Sequence, residues 1–115
     1  MATIEQILAI DDADVRQVVV PEWGGITVRV ACMSAADRAI IERDFSGKRA
    51  SADPAGFRVA ILSACLQGDD GCHLGPSDMI ARLLNKSAVA IERLFDAACE
   101  VSGLAAGADK EVEKN

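Results

Sequence analysis

The chain has 115 residues, half of them apolar but only 3% aromatic, and a formal net charge of −6 from 12 basic and 18 acidic side chains. That length carries one modest core and not two. The acidic balance excludes nucleic acid and anionic membrane as main partners, since both need basic patches to displace counterions. No apolar run approaches a membrane span, and Met1 to Ile10 lacks the basic start of a signal peptide. The four cysteines, Cys32, Cys65, Cys72 and Cys99, lie far apart and mostly inside apolar patterns. They read as reduced, buried small hydrophobes of a cytoplasmic protein.

Thr3-Ile4-Glu5-Gln6 has the form of a capping box, after which Ile4, Ile7 and Leu8 give a short first helix one apolar side. Asp11-Asp12-Ala13-Asp14 reads as a solvated connector. Val15 to Val20 is rich in β-branched residues, and Val28, Val30 and Cys32 alternate with Thr27, Arg29 and Ala31. That is the period-2 pattern of half-buried strands. Between them, Gly24-Gly25 supplies the positive φ angles of a tight turn, and Pro21 sits where a ladder donor can be spared. Trp23 is the single Trp of a chain with no Tyr. It serves either as a lid folded back on the helical core or as an anchor for a partner.

Ser34-Ala35-Ala36-Asp37 reads as a second capping box, opening a helix that runs to about Phe45 with Ala36, Ala39, Ile40 and Phe45 on its apolar side. Ser46 to Ala52 reads as a flexible, locally basic loop, and Asp53-Pro54 as the cap and first residue of the next helix. Phe57, Ala60, Ile61, Ala64 and Cys65 recur there at helical spacing, with Leu62 and Leu66 widening the stripe. So few charges interrupt it that the pattern predicts the most central helix. Gly68-Asp69-Asp70-Gly71 is a turn, and Pro76-Ser77-Asp78 starts a helix with Met79 or Ile80, Leu83 and Leu84 inward. Ser87 caps the last helix, whose Ile91, Leu94, Phe95, Ala98 and Cys99 oppose Glu92, Arg93, Asp96 and Glu100. Gly103 stops it, leaving Ala105 to Asn115 as a charged tail with too little apolar surface to stay ordered. The fold expected is α+β: a short helix, a two-stranded hairpin and a body of about four helices. Residues 1–104 form one domain, and 105–115 a flexible tail.

No catalytic or cofactor-binding constellation emerges. Cys72-His73 brings a thiol beside the only histidine, but a zinc site needs two close ligand pairs and a thiol nucleophile an imidazole facing it across space. The pair reads as a structural loop. Gly47-Lys48 lacks the Gly-x4-Gly-Lys-Ser/Thr spacing of a phosphate loop, and the 68–71 turn lacks the far acid of a calcium loop. The carboxylates lie in caps, connectors and outer helix faces, where nothing raises a pKa for acid catalysis. The residues describe a binding or assembly protein, not an enzyme, with no cofactor and no metal.

The arrangement resembles the tail assembly chaperones of long-tailed bacteriophages and prophages. The resemblance rests on the Val18-to-Val30 hairpin with its Pro-Glu-Trp-Gly turn, Ser34 to Phe45, Cys65 to Gly71, and the Lys86-Ser87 to Phe95 helix with its Glu-Arg-Leu-Phe ending. Gly103-Leu104 and the closing Glu113-Lys114-Asn115 also fit, so nearly the whole chain is covered. The basic Gly47-Lys48-Arg49 loop and the Cys72-His73 turn depart from the pattern. The resemblance implies a non-catalytic protein of the host bacterial cytoplasm, absent from the mature virion. It would bind the tape measure protein and keep it soluble while the tail tube polymerises. A −1 frameshift-extended form would recruit tail tube protein, and an A-rich run encoding Glu113 to Asn115 would permit the slippage. The alternative is a small head-tail or tail adaptor retained in the virion. A chaperone for an apolar helical client needs an exposed aliphatic groove. Trp23 with the hairpin face, Ile41, Val89 and Val101 are the candidate contacts, the last three lying off the inward stripes. Such a patch also favours a homo-oligomer.

Overall fold

The computed structural model describes residues 1–47 and 49–104. Lys48 and the tail expected at 105–115 lie outside the described residues. The elements are α1 (Ile4–Leu8), β1 (Val15–Val20), β2 (Ile26–Ala31), α2 (Ala35–Phe45), α3 (Arg49–Ala52), α4 (Pro54–Cys65), β3 (Leu66–Gln67), α5 (Ser77–Arg82) and α6 (Ala88–Val101). Single 3-10 turns at Pro21–Trp23 and Leu83–Asn85 complete the order. The α+β reading holds, with a helical body on one small antiparallel sheet.

The hairpin forms as its sequence predicts. β1 and β2 pair from Val15↔Ala31 to Val20↔Ile26, which puts Val18 opposite Val28 on one face and Gln17 opposite Arg29 on the other. Val20, Val28 and Val30 are buried and Val18 is half-buried, whereas Gln17, Val19 and Thr27 are exposed. Gly24 and Gly25 close the turn at φ 74° and 81°, a region that costs other residues strain. The sheet has a third strand that the sequence pattern did not reveal. Leu66 leaves the helix with extended dihedrals, φ −74° and ψ 133°, and pairs with Val30 while Gln67 pairs with Arg29. A residue that looks like one more turn of helical stripe is captured instead by a ladder distant in sequence.

Each predicted cap residue bonds its helix start, with both bonds of the box at Thr3–Gln6 and the Ser34 side-chain bond of the one expected at Ser34–Asp37. Thr3 and Gln6 make the reciprocal box, Ser34 accepts the Asp37 amide, Asp53 accepts the Gly56 amide, and Ser87 accepts the Ala90 amide. Each satisfies an orphan donor of a helix start, worth about 1 kcal/mol. The predicted faces need two corrections. In α2 the buried residue is Ile41, while Ile40 is 49% exposed and Ala36 and Ala39 are also outside. The inward line is Asp37–Ile41–Phe45, at spacing i, i+4, i+8, because the Phe45 ring meets Phe57 of α4 edge-on at 5.6 Å. The central helix is α6, not α4. Seven α6 residues are buried against four in α4, and α6 packs on β1, β2 and α4 at once. The expected loop at 46–52 contains the single helical turn α3.

The core runs from Val20, Val28 and Val30 through Leu66 and Leu94 to Phe57, Ile61 and Phe95. All three phenylalanines form one edge-to-face chain, Phe45–Phe57–Phe95, the second pair at 6.1 Å. Arg58 lays its guanidinium over Phe95 at 4.2 Å and pairs with Glu92 at 2.7 Å. Two more pairs tie α6 to the hairpin, Arg16–Glu100 at 2.5 Å and Arg93–Glu22 at 3.2 Å. Being partly exposed, each contributes at most about 1 kcal/mol and serves chiefly to set position. Ser102 is the buried polar residue of the described core. Its hydroxyl accepts the Met33 amide at 3.2 Å and lies 3.6 Å from the Cys65 sulfur, joining the ends of β2, α4 and α6.

Residues 1–14 contribute nothing to this core. Every one is exposed, including Ile4, Ile7, Leu8 and Ile10 at 54–76%. Leu94→Ala is therefore expected to lower the unfolding free energy by about 2–5 kcal/mol, and Leu8→Ala by less than about 0.5 kcal/mol. Urea titrations of both variants followed by circular dichroism check the contrast.

Candidate functional site

β3 is only two residues long because Gly68–Gly71 turns the chain away immediately, with the Gly71 amide bonded to the Gly68 carbonyl at 3.1 Å. It covers β2 at Arg29 and Val30 alone, so the Ile26–Val28 stretch has no strand on that side among the described residues. Leu74 and the Leu83–Asn85 turn stand off from this uncovered edge. The gap is an open groove of about 640 Å³. Trp23, Ile26, Val28, Leu66, Leu74 and Leu83 supply its apolar lining, and Arg29, Lys86 and Asp69 reach it as charges.

Trp23 is held in place from three sides. Pro21 pre-sets the 3-10 turn, the Gly24 amide closes it onto the Pro21 carbonyl at 3.2 Å, and the Gly25 amide bonds Val20 at 3.0 Å. Next to it, Glu22 is pinned by Arg93 of α6. The indole is half-buried against the core and also faces the groove. The packing fits the lid reading, and the face turned to the groove leaves room for the partner-anchor reading. Arg29 is fixed by a 2.8 Å hydrogen bond from its Nε to Gln67 Oε1. Neither Arg29 nor Lys86 has a carboxylate within ion-pair distance among the described residues.

The other sequence candidates are not brought to this groove. Ile41 and Val101 are buried, at 8% and 7% exposure, and belong to the core. Val89 is 60% exposed and lines a shallower depression of about 680 Å³ between β1 and the outer side of α6. The charged walls of that depression are already engaged, Glu92 with Arg58, Arg93 with Glu22 and Glu100 with Arg16. Ile26, Leu74 and Leu83 are groove residues that sequence reasoning missed. Their one local signal was Ile26, an apolar residue just after a Gly-Gly turn at the exposed end of a strand.

The groove holds no histidine and no cysteine. His73 lies elsewhere, its Nδ1–H donating to the Ser63 carbonyl at 2.9 Å, while the Cys72 amide bonds Asp70. Only two of the four cysteines expected to be buried are so: Cys65 and Cys99 lie in the core, whereas Cys32 is half-buried just past the end of β2 and Cys72 is exposed in the loop after the Gly68–Gly71 turn. Burial pushes the Cys65 thiol up, against a smaller opposing effect of the Ser102 hydroxyl. Among the described residues no group of three His, Cys, Asp or Glu is placed to hold a metal ion. None of their helices is long and apolar enough to cross a membrane. What the groove offers is apolar contact area flanked by charge, the chemistry of a peptide or helix seat.

The fold built on this hairpin has a solved counterpart. The chain is similar in structure to the bacteriophage HK97 tail assembly chaperone. The match has a TM-score of 0.63 at 18% identity and covers 89% of this chain and 95% of that one. At that identity the likeness is one of fold. No protein-family model matches the sequence, and no curated protein matches it either.

Alkylation at neutral pH is expected to label Cys72 in the native protein and to spare Cys65 and Cys99 until urea unfolds it, as mass spectrometry would read. The raised Cys65 thiol makes a pH prediction as well. Its stabilising effect is complete below the ordinary thiol range and is lost as pH rises through it, because the unfolded chain ionises first. The alkaline fall in urea midpoint should be smaller in Cys65→Ala.

Proposed function

We propose that this chain is a non-catalytic tail assembly chaperone of a long-tailed phage or prophage. In this reading it binds the tape measure protein and keeps it soluble and competent for tail tube polymerisation. It works in the host cytoplasm and leaves before the virion is complete. A −1 frameshift-extended form would add a segment that engages tail tube protein. The observation that carries the proposal is the likeness of fold to the HK97 chaperone over 89% of the chain. The groove beside Trp23 supports it physically. A client that is long, helical and partly apolar needs a seat that accepts many sequences, and an open groove with an apolar floor and charges at its margin fits one. Trp23 at the rim of that seat fits the enrichment of Trp at energetic centres of interfaces.

Co-expression with the tape measure protein of the same genome tests this. The client is expected in the soluble fraction, co-purifying with the chain. Ile26→Asp with Leu74→Asp should weaken that capture by about tenfold or more while circular dichroism stays unchanged, since both side chains are half exposed. Mass spectrometry of purified particles should find the chain absent. Its presence at stoichiometric level would instead support a virion adaptor. An N-terminally tagged chain expressed with its downstream DNA should give a second, longer band if the frameshift occurs.

A further inference from the structure

The first fourteen residues are an apolar helix on an acidic stalk that the rest of the described chain does not cover. Ile4, Ile7 and Leu8 lie one turn apart on α1, with Ile10 just after it, and all are exposed. A five-residue helix has too few internal hydrogen bonds to persist alone, and one capping box does not repay the cost of nucleating it. Its apolar face therefore calls for a surface. Its side-chain charges are of one sign, Glu5, Asp11, Asp12 and Asp14 with no Lys or Arg before Arg16, and the one cation is the Met1 amino group at the end away from the stalk. No cation is within ion-pair distance of these four among the described residues. Opposite them in character stands the Trp23 groove, an apolar seat where Arg29 and Lys86 lack a carboxylate partner, with Asp69 as its one acid.

In the chain's own fold α1 does not occupy the groove: residues 1–14 are all exposed and none of them lines it. Asp14 is tied to the end of the hairpin remote from Trp23 by the bond from the Cys32 amide to its carbonyl at 2.8 Å. A second copy can bring its α1 to the seat from outside.

We infer that α1 of one copy docks in the Trp23 groove of another. Ile4, Ile7 and Leu8 face Trp23, Ile26 and Leu74, and the Asp11–Asp14 stalk lies toward Arg29 and Lys86. The contact stands independently of any client. That α1 and a client compete for the groove is a corollary resting on the proposed function. The chain then carries a stand-in for its client, and self-association covers the seat until a client replaces it.

Trp23 is the only Trp in the chain, so its emission reports the groove directly. The full-length chain is expected to self-associate in sedimentation runs, with Trp23 emission shifting to the blue as concentration rises. Ile7→Asp with Leu8→Asp should move the midpoint of both changes at least about tenfold higher. These two side chains are outside the core, so folding is not at risk. Arg29→Glu with Lys86→Glu should weaken association similarly. Adding Asp11→Lys and Asp12→Lys to that variant should restore it, which a merely structural role for either pair would not produce. A concentration-independent Trp23 signal, unchanged by the α1 substitutions, would overturn the proposal; it is also the result expected if residues 105–115 of the same chain fill the groove. Association that survives the α1 substitutions would equally overturn it by placing the interface elsewhere. For the corollary, tape measure protein should bind the Ile7→Asp, Leu8→Asp chain more tightly than the parent. Self-association with equal client binding would reject competition alone, and self-association with no client binding would reject the proposed function alone.

Discussion

The packing of α6 against the inner face of the hairpin is the constraint on which the remaining structure depends. Leu94, Phe95, Ala98 and Cys99 are each almost fully buried, and the neighbours that bury them come from β1, β2 and α4 together. With few aromatic side chains, the core gains area through close approach of small residues, and Ala90 and Ala98 let α6 lie near the sheet. The ion pairs from α6 to Arg16, Glu22 and Arg58 sit around this contact and set its angle. Their energies are small beside the burial they surround.

The groove follows from the same packing. α4 delivers the chain to the sheet at Leu66, where only two residues can join the ladder before the Gly68–Gly71 turn. Had the strand been longer, Ile26 to Val28 would be covered and Trp23 would be a core residue on all sides. A shortened strand beside an apolar hairpin end thus leaves part of the sheet edge as an open apolar groove. Exposed edges are a hazard that proteins manage with charge and with covering segments, and Arg29 and Lys86 stand at this one.

Elements with a local cause were legible in the sequence, and elements with a distant cause were not. The hairpin, its glycine turn, all four side-chain caps and the α6 face come from neighbouring residues, and each appears where its pattern places it. β3 depends on Val30, which is 36 positions from Leu66, and the helical stripe preceding Leu66 hides it. The α2 face was misplaced by one position because Ala36, Ala39 and Ile40 form as good a stripe as Ile41 and Phe45. Only the Phe57 ring decides between them. For the site, Trp23 was legible as the chain's lone Trp at a hairpin turn. Leu74 and Leu83 were not, since their shared wall exists only once α5 and the loop before it have packed. Ile41 and Val101 looked surplus only against stripes drawn too narrow.

The knot at the end of α6 governs direction as well as cohesion. Ser102 is fastened to Met33, Gly103 reverses the backbone at φ 75°, and the Leu104 amide is drawn onto the Cys99 carbonyl at 2.7 Å. Leu104 is therefore held beside a hollow formed by Met33, Phe45 and Phe57 that shares no residue with the Trp23 groove. The two hollows are built from different residues and shaped by different parts of the chain, one by the end of α6 and the other by the shortness of β3, so a substitution that reshapes one leaves the lining of the other intact.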